Sequence, residues 1–142
     1  MICAAEDVSN ADPQALVVAT SAAQAVERIG MPEAQIILAQ AAAYVACAPK
    51  SNSAVNAIGE AMEAVKKRPH GQIPPYLRDS HYDGAKDLGR GIGYKYPHNF
   101  EDHYVEQQYL PDELKDTRFY IPSDNGYEKA IQRWFERIKK DH

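Results

Sequence analysis

The sequence predicts an all-α fold, with alanine-rich helices over residues 1–67, a long irregular segment over 68–123 and a final helix over 124–140. Composition divides the chain: 19 of its 21 alanines lie at or before position 64, and eight of its nine tyrosines lie after position 75. Helix-capping signals recur in the first part, whereas residues 68–111 show no sustained period of 2 or 3.6. The 142 residues fit one domain.

The first two helices are bounded by capping residues and helix breakers. Asp12 is a good N-cap, and the apolar pattern that follows it runs to Ile29 before Gly30 ends the helix. Pro32 opens the second helix and Pro49 ends it. Short connections of this kind favour antiparallel packing of neighbouring helices.

A third helix is predicted after Pro49, with Ser51 or Asn52 as its cap. Its predicted apolar face consists of Ala54, Ile58, Ala61 and Val65. Residues 1–7 have the pattern of the end of a helix whose beginning precedes this chain.

The segment over 68–123 is rich in glycine, proline and tyrosine. Loops of this length are uncommon inside compact domains and are usually functional or disordered. We expect order, because tyrosines offer large buried area with a polar tip. The tyrosines concerned are Tyr76, Tyr82, Tyr94, Tyr96, Tyr104 and Tyr109. Short helical turns are predicted at 83–88 and 112–116.

Asp124 is the predicted cap of the final helix. The apolar stripe of that helix consists of Tyr127, Ile131, Trp134, Phe135 and Ile138.

Composition and charge exclude several classes of protein. The formal net charge is −4, which is not the basic footprint of a dedicated nucleic-acid module. The two cysteines, Cys3 and Cys47, are too few for a disulfide framework. The uncharged run AQIILAQAAAYVACAP between Glu33 and Lys50 is shorter than a membrane-spanning helix requires. The start of the chain has no signal-peptide pattern, and we expect a cytoplasmic protein with no membrane partner.

Sites for nucleotide, metal and catalysis are not expected in this chain. In GRGIGYK (89–95), Tyr94 separates Gly93 from Lys95, so the spacing of a Walker loop fails. His98 and His103 have no C-x-x-C partner for zinc. Asp79, Asp83 and Asp87 alternate with basic residues, which is typical of a surface ion-pair lattice. We therefore predict no catalytic residue, no cofactor and no metal.

The first two helices carry no charge from Pro13 to Val26 and from Ala34 to Pro49. A surface helix of a monomer normally has a charged face, so these helices are buried either within the domain or against another subunit. Both alternatives remain open at this point. The predicted oligomer interface consists of Ala22, Ala23, Ala41 and Tyr44.

Basic and aromatic residues alternate in the irregular segment, a pattern that can bind single strands by phosphate neutralisation and base stacking. A DNA-binding or replication-partner-binding module that uses the 70–111 loop is therefore the alternative function. Its predicted contacts are Lys86, Arg90, Tyr94, Lys95 and Tyr96. The alternative is structural, with tyrosines holding an irregular loop against the helices and the lysines in solvent.

Four stretches resemble the C-terminal domain of the MgsA family of AAA+ ATPases, the bacterial replication-associated recombination proteins A and their eukaryotic relative, the Werner-helicase-interacting ATPase. These stretches are AAEDVSNADPQAL (4–16), APKSN (48–52), LRDSHYDGAKDLGRGIGYKYPH (77–98) and EQQYLPDELKDTRFYIPSDNGYE (106–128). The match covers nearly the whole chain. Val8-Ser9 stands where the resemblance implies an Ile-Gly pair.

The resemblance implies a helical bundle similar to the collar domain of clamp-loader subunits, which assembles the ATPase into a homotetramer. The parent protein is similar to DNA-stimulated ATPases of replication, recombination and repair at stalled forks, with ATP and magnesium as its cofactors. The ATPase core and lid are absent from this chain, so Met1 is expected to be an internal methionine of a longer protein. Expected partners are further copies of the chain, DNA through the parent protein, and single-strand-binding protein. The resemblance also implies association with the nucleoid.

Overall fold

The computed structural model describes residues 1–67, 71–79, 81, 88 and 91–140, and among these residues it contains helices and irregular segments but no strand. The predicted all-α class is confirmed. The α-helices of the described residues are α1 (Gln14–Ile29), α2 (Ala34–Cys47), α3 (Ser53–Lys67) and α4 (Glu128–Lys140). The predicted helical turn at 83–88 lies outside the described residues except for Leu88.

The capping residues predicted for α1 and α3 are present. The carboxylate Oδ1 of Asp12 accepts a hydrogen bond of 3.1 Å from the backbone N–H of Gln14, the first residue of α1. Gly30 ends α1 with φ +76°, a conformation that glycine adopts without steric cost. At α3, the Ser51 hydroxyl oxygen accepts a hydrogen bond from the Ser53 backbone N–H at 3.2 Å, so the predicted cap is confirmed at Ser51.

Residues before α1 form a short π-helical turn, Ala4–Val8, followed by the 3₁₀ turn Ser9–Ala11. Val8 is fully buried, while Ser9 has φ +52° and ψ −138°. That backbone conformation favours glycine, which explains the Ile-Gly pair that the resemblance implies here.

The final helix begins at Glu128 rather than directly after Asp124, so the predicted start is wrong by three residues. Gly126 has φ +52°, and the Tyr127 backbone N–H donates to the Ala11 carbonyl oxygen at 2.8 Å. A Cβ at Gly126 would lie 2.0 Å from that same oxygen. The chain therefore makes a tight turn against Ala11 before α4 can begin.

The chain divides into two compact units. Unit 1 comprises Met1–Ala61 and Phe119–Phe135, and unit 2 comprises Met62–Arg118 and Glu136–His142. Unit 1 contains α1, α2 and the first halves of α3 and α4. Unit 2 contains most of the irregular segment, with 3₁₀ turns at Pro75–Leu77, Pro97–Asn99, Glu101–His103 and Asp112–Leu114. The last of these confirms the turn predicted after Pro111.

Tyrosines in unit 2 are less buried than the sequence predicts. Tyr76 is half-buried and its hydroxyl donates to the Gln108 carbonyl oxygen, as expected for a tyrosine that holds a loop. Tyr94, Tyr96 and Tyr109 are instead exposed, so the expectation of large buried area is wrong for these three side chains.

Candidate functional site

Helices α1 and α2 pack against each other as an antiparallel hairpin. The Tyr44 hydroxyl, near the end of α2, donates a hydrogen bond of 2.9 Å to Asp12 Oδ2, just before the start of α1. This contact joins opposite ends of the two helices, as an antiparallel arrangement requires. The Asp12 carboxylate also raises the pKa of the Tyr44 hydroxyl, because the hydrogen bond is lost when the phenol ionises.

The core of unit 1 is built from small side chains. Its central cluster contains Ala4, Val8, Ala15 and Ala19, and half-buried Val45 packs against it. Small residues let helices approach closely, but each buries little apolar area. The hydrophobic gain from this core is correspondingly modest, and the larger apolar side chains of unit 1 lie elsewhere.

Most large apolar side chains of α1 and α2 face solvent. Ile36 is 77% exposed, and Leu38 is also exposed. On α1, Leu16, Val17 and Ile29 are exposed. In the part of the chain that the structure describes, Ala34 is the only buried residue of α2, so these residues do not bury that helix in the middle of the domain.

The outer face of α2 consists of exposed positions spaced by four, three and four residues, which places them on one side of the helix. These positions are Ile36, Gln40, Ala43 and Cys47. None of them carries a charge, and the first charges in either direction along the chain are Glu33 and Lys50. We call this set the outer face of α2.

The four predicted interface residues lie closer to the contact between α1 and α2. Ala22 is buried, and Ala22 and Ala41 line the shallow grooves on both sides of the hairpin. Ala23 and Ala41 are half-buried, and Tyr44 is partly exposed. The outer face of α2 is not among the predicted interface residues, although it lies within the uncharged run that the sequence shows between Glu33 and Lys50.

Helix α3 has the apolar face that the sequence predicts, but alanine forms its covered side. Ala54, Ala57, Ala61 and Ala64 are half-buried. The larger apolar side chains lie on the adjacent, exposed side, and these are Val55, Ile58, Met62 and Val65. Of the four residues on the predicted apolar face, Ile58 and Val65 are therefore exposed, whereas Ala54 and Ala61 are half-buried.

Glu128, the first residue of α4, is a fully buried carboxylate that the sequence analysis did not identify. It accepts hydrogen bonds from the hydroxyls of Ser51 at 2.7 Å, Tyr120 at 2.7 Å and Ser123 at 2.5 Å, and from the Ser53 hydroxyl. The Ser123 backbone N–H also donates to it at 2.8 Å. The cluster joins the start of α3 to the start of α4 within unit 1.

The hydrogen bonds decide the charge of Glu128. Burial by itself raises the pKa of this carboxyl, but the hydroxyl donors, led by Ser123, outweigh burial and lower the pKa to about 2. The negative charge also lies at the N-terminus of α3, where the helix dipole favours it. Glu128 is therefore ionised at neutral pH. Its role is structural, as the common acceptor of these hydrogen bonds, rather than that of a proton donor or acceptor.

Of the residues predicted to contact DNA or a partner, Lys86 and Arg90 lie outside the described residues. Tyr94, Lys95 and Tyr96 are exposed in unit 2. The backbone of Lys95 is held by Gln107, whose amide nitrogen donates to the Lys95 carbonyl oxygen at 2.8 Å and to the Tyr109 hydroxyl at 2.9 Å.

Exposed rings continue from Tyr96 along the chain. The rings of Tyr96 and His98 have centroids 5.1 Å apart, and those of His98 and His103 are 4.9 Å apart. Within unit 2, Arg137 donates to Asp102, beside His103, at 2.7 Å. Together with Tyr109, these rings form an exposed aromatic surface, which we call the ring surface.

The described part of the chain contains no group of three or more histidine, cysteine, aspartate or glutamate side chains that could hold a metal ion. Within the same residues, no helix has both the length and the apolar character needed to cross a membrane.

Comparison with known proteins assigns the family. Residues 1–139 match the family described as MgsA AAA+ ATPase C terminal. The chain belongs to this family. The resemblance found in the sequence is therefore confirmed, and the chain corresponds to the C-terminal domain of these ATPases.

Relatives in this family are similar over nearly the whole chain. Replication-associated recombination protein A of Bacillus subtilis is 45% identical over 141 residues, which are 99% of this chain and 34% of that protein. An uncharacterised AAA domain-containing protein of Mycobacterium tuberculosis is 48% identical over 139 residues, covering 98% of this chain and 31% of that protein. The Escherichia coli replication-associated recombination protein A is 39% identical over 129 residues, which are 90% of this chain and 29% of that protein. The chain thus spans about a third of the length of these relatives.

Proposed function

We propose that this chain is an assembly module, which joins copies of a longer AAA+ ATPase through the outer face of α2. The single observation that carries the proposal is that unit 1 buries small apolar side chains and leaves large ones exposed. Its core is made of alanine and valine, whereas Ile36 is 77% exposed on a helix without charge. Contiguous exposed apolar surface on a soluble domain usually marks an interface.

The resemblance extends this proposal to a homotetramer, since closed symmetry would hide the apolar face of every copy. The whole protein would act in replication-associated recombination, as the names of its relatives suggest, and the family resemblance extends this proposal to repair at stalled forks. ATP binding and hydrolysis, with magnesium, would then belong to the remaining two thirds of the protein. We expect this chain alone to have no ATPase activity.

Charge insertion tests the assembly proposal. Ile36→Glu places a charge on the outer face of α2, and the matched control Ile121→Glu makes the same change at a residue of unit 1 that is 64% exposed but lies outside α1 and α2. Sedimentation velocity should show smaller species for Ile36→Glu and unchanged species for Ile121→Glu. Circular dichroism should show native helix content in both, because exposed substitutions cost little stability.

A third variant separates interface from core. Ala22 is buried in the hairpin, so Ala22→Glu should unfold unit 1 rather than release folded monomers. If Ile36→Glu leaves the oligomer intact, or if wild type sediments as a monomer, the assembly proposal is wrong.

A second function is favoured by the ring surface of unit 2. Exposed rings beside Lys95 can stack with bases while the ammonium group neutralises phosphate, so this surface is a candidate contact for single-stranded DNA. Fluorescence anisotropy with a labelled oligonucleotide tests it. Tyr96→Ala should weaken binding at least several-fold, whereas Tyr127→Ala, at an exposed tyrosine of unit 1, should not.

Absence of binding at low salt would rule out the DNA contact. The ring surface would then be a candidate for a protein partner such as single-strand-binding protein, which a pull-down with the purified partner would test against the same two tyrosine variants.

A further inference from the structure

The outer face of α2 also contains information on how two copies meet. Sixteen uncharged residues separate Glu33 at the start of α2 from Lys50 just beyond its end. The helix therefore presents an apolar face with one acid at one end and one base at the other. Any charged partner surface would bury an unpaired charge against this face, which is costly. A second copy of the same face has no such charge.

The orientation follows from the two end charges. If two α2 helices lie antiparallel about a two-fold axis, the Glu33 end of one copy lies beside the Lys50 end of the other. Glu33 directly precedes α2, and the Lys50 ammonium group donates to carbonyl oxygens of its last turn. A parallel pair would instead place like charges together and align the helix dipoles unfavourably. Charge complementarity thus selects the antiparallel arrangement.

The same symmetry sets which side chains meet. With the axis between Ala41 and Ala42, Ile36 of one copy lies level with Cys47 of the other, and Gln40 lies level with Ala43. All four of these outer-face positions are exposed in the single chain. Small side chains at the centre of the face permit close approach of the two helices, and the larger Ile36 packs at either edge.

We propose that the outer face of α2 pairs antiparallel with α2 of a second copy, in an isologous contact with Ile36 of each chain against Cys47 of the other. The proposal rests on the assembly function and adds to it the occupant, the register and the direction of the contact. Lys50 is already fixed in place at the end of α2, where its ammonium group donates to the carbonyl oxygens of Val45 at 2.8 Å and Ala46 at 3.1 Å.

Disulfide cross-linking tests the register, and the chain offers a native thiol for it. All variants carry Cys3→Ser, which removes the other exposed cysteine. In an antiparallel pair, Cys47 of one copy is about 16 Å along the axis from Cys47 of the other, which is too far for a disulfide. Ile36→Cys places a thiol level with Cys47 of the second copy.

Mild oxidation should convert Cys3→Ser/Ile36→Cys to a covalent dimer about a hundredfold faster than Cys3→Ser alone, because thiols held in contact have millimolar effective concentration. Mass spectrometry should find the linkage between positions 36 and 47. Adding Cys47→Ser should abolish the dimer.

The opposite results are equally informative. Rapid cross-linking of Cys3→Ser alone through Cys47, or a linkage between two copies of position 36, would show a parallel pair and overturn the proposal. If neither variant cross-links while sedimentation still shows an oligomer, this pairing is wrong but the assembly function stands. If sedimentation shows only monomers, both fail.

Discussion

Ser51 donates a hydrogen bond of 2.7 Å to the buried carboxylate of Glu128, across 77 residues of sequence. The two residues lie in two separate stretches that carry the family resemblance, APKSN and the segment ending in NGYE. The contact fixes the start of α4 against the start of α3, so the fold of unit 1 depends on polar side chains as well as on its small apolar core.

Removing the charge of Glu128 should destabilise the domain. Glu128→Gln keeps the size of the side chain, but it replaces one carboxylate oxygen by an NH₂ group. That group is a hydrogen-bond donor and cannot accept the hydrogen bonds that the Ser and Tyr hydroxyls donate to Glu128. We expect a loss of about 2–3 kcal/mol in the free energy of unfolding, since hydrogen bonds to buried charged groups are among the stronger ones. Urea denaturation at neutral pH measures this loss. The matched control Glu136→Gln, on the exposed side of the same helix, should change stability little.

Acid should remove the contribution of Glu128. The pKa of Glu128 is about 2 in the folded chain and close to 4.5 when the chain is unfolded. The folded state therefore stabilises the ionised carboxylate more than the unfolded state does. This contribution, about 3 kcal/mol, is complete above pH 4.5 and decreases as the pH falls towards 2. Urea titrations across this pH range should show that the free energy of unfolding falls more steeply with decreasing pH for wild type than for Glu128→Gln. Parallel curves for the two proteins would contradict the assignment.

Two glycines should respond oppositely to alanine. Gly126→Ala places a Cβ 2.0 Å from the Ala11 carbonyl oxygen at φ +52°, so the turn before α4 must shift and unit 1 should lose several kcal/mol of stability. Gly59→Ala, in open space within α3, should instead stabilise the chain by about 0.5–1 kcal/mol. Thermal unfolding of both variants is the measurement. A stable Gly126→Ala would show that the turn is not held against Ala11.

Replacing Ser9 by glycine should increase the stability of the folded chain. The φ of +52° at Ser9 is strained for any residue with a Cβ, and Ser9→Gly should stabilise the chain by about 1 kcal/mol. The control Ser21→Gly, at an exposed position inside α1, should destabilise by about 0.5 kcal/mol because glycine is a poor helix former. Equal losses from both substitutions would mean that Ser9 is not strained.

Local signals predicted the helices well. Asp12, Gly30 and Ser51 mark helix ends through contacts within a few residues, and such contacts can be inferred from sequence. The start of α4 could not be inferred from sequence, because the turn at Gly126 contacts Ala11, which lies more than a hundred residues earlier in the chain.

The candidate site was predicted only in outline. The uncharged run indicated a helix without a polar face, but of the predicted interface alanines Ala22 is buried and Ala23 and Ala41 are half-buried. Composition does not distinguish the two sides of a helix when both are apolar. The Glu128 cluster was missed because an acid in the first turn of a helix is ordinarily solvent-exposed, and its donors come from distant parts of the sequence.

The assembly claim is tested most directly by the molar mass of the wild-type chain in solution. Light scattering should give a weight-average mass above the 15.8 kDa of one chain, and this mass should rise with concentration towards a closed oligomer. A mass that stays at 15.8 kDa up to high micromolar concentration would contradict the claim that the outer face of α2 is an interface between copies.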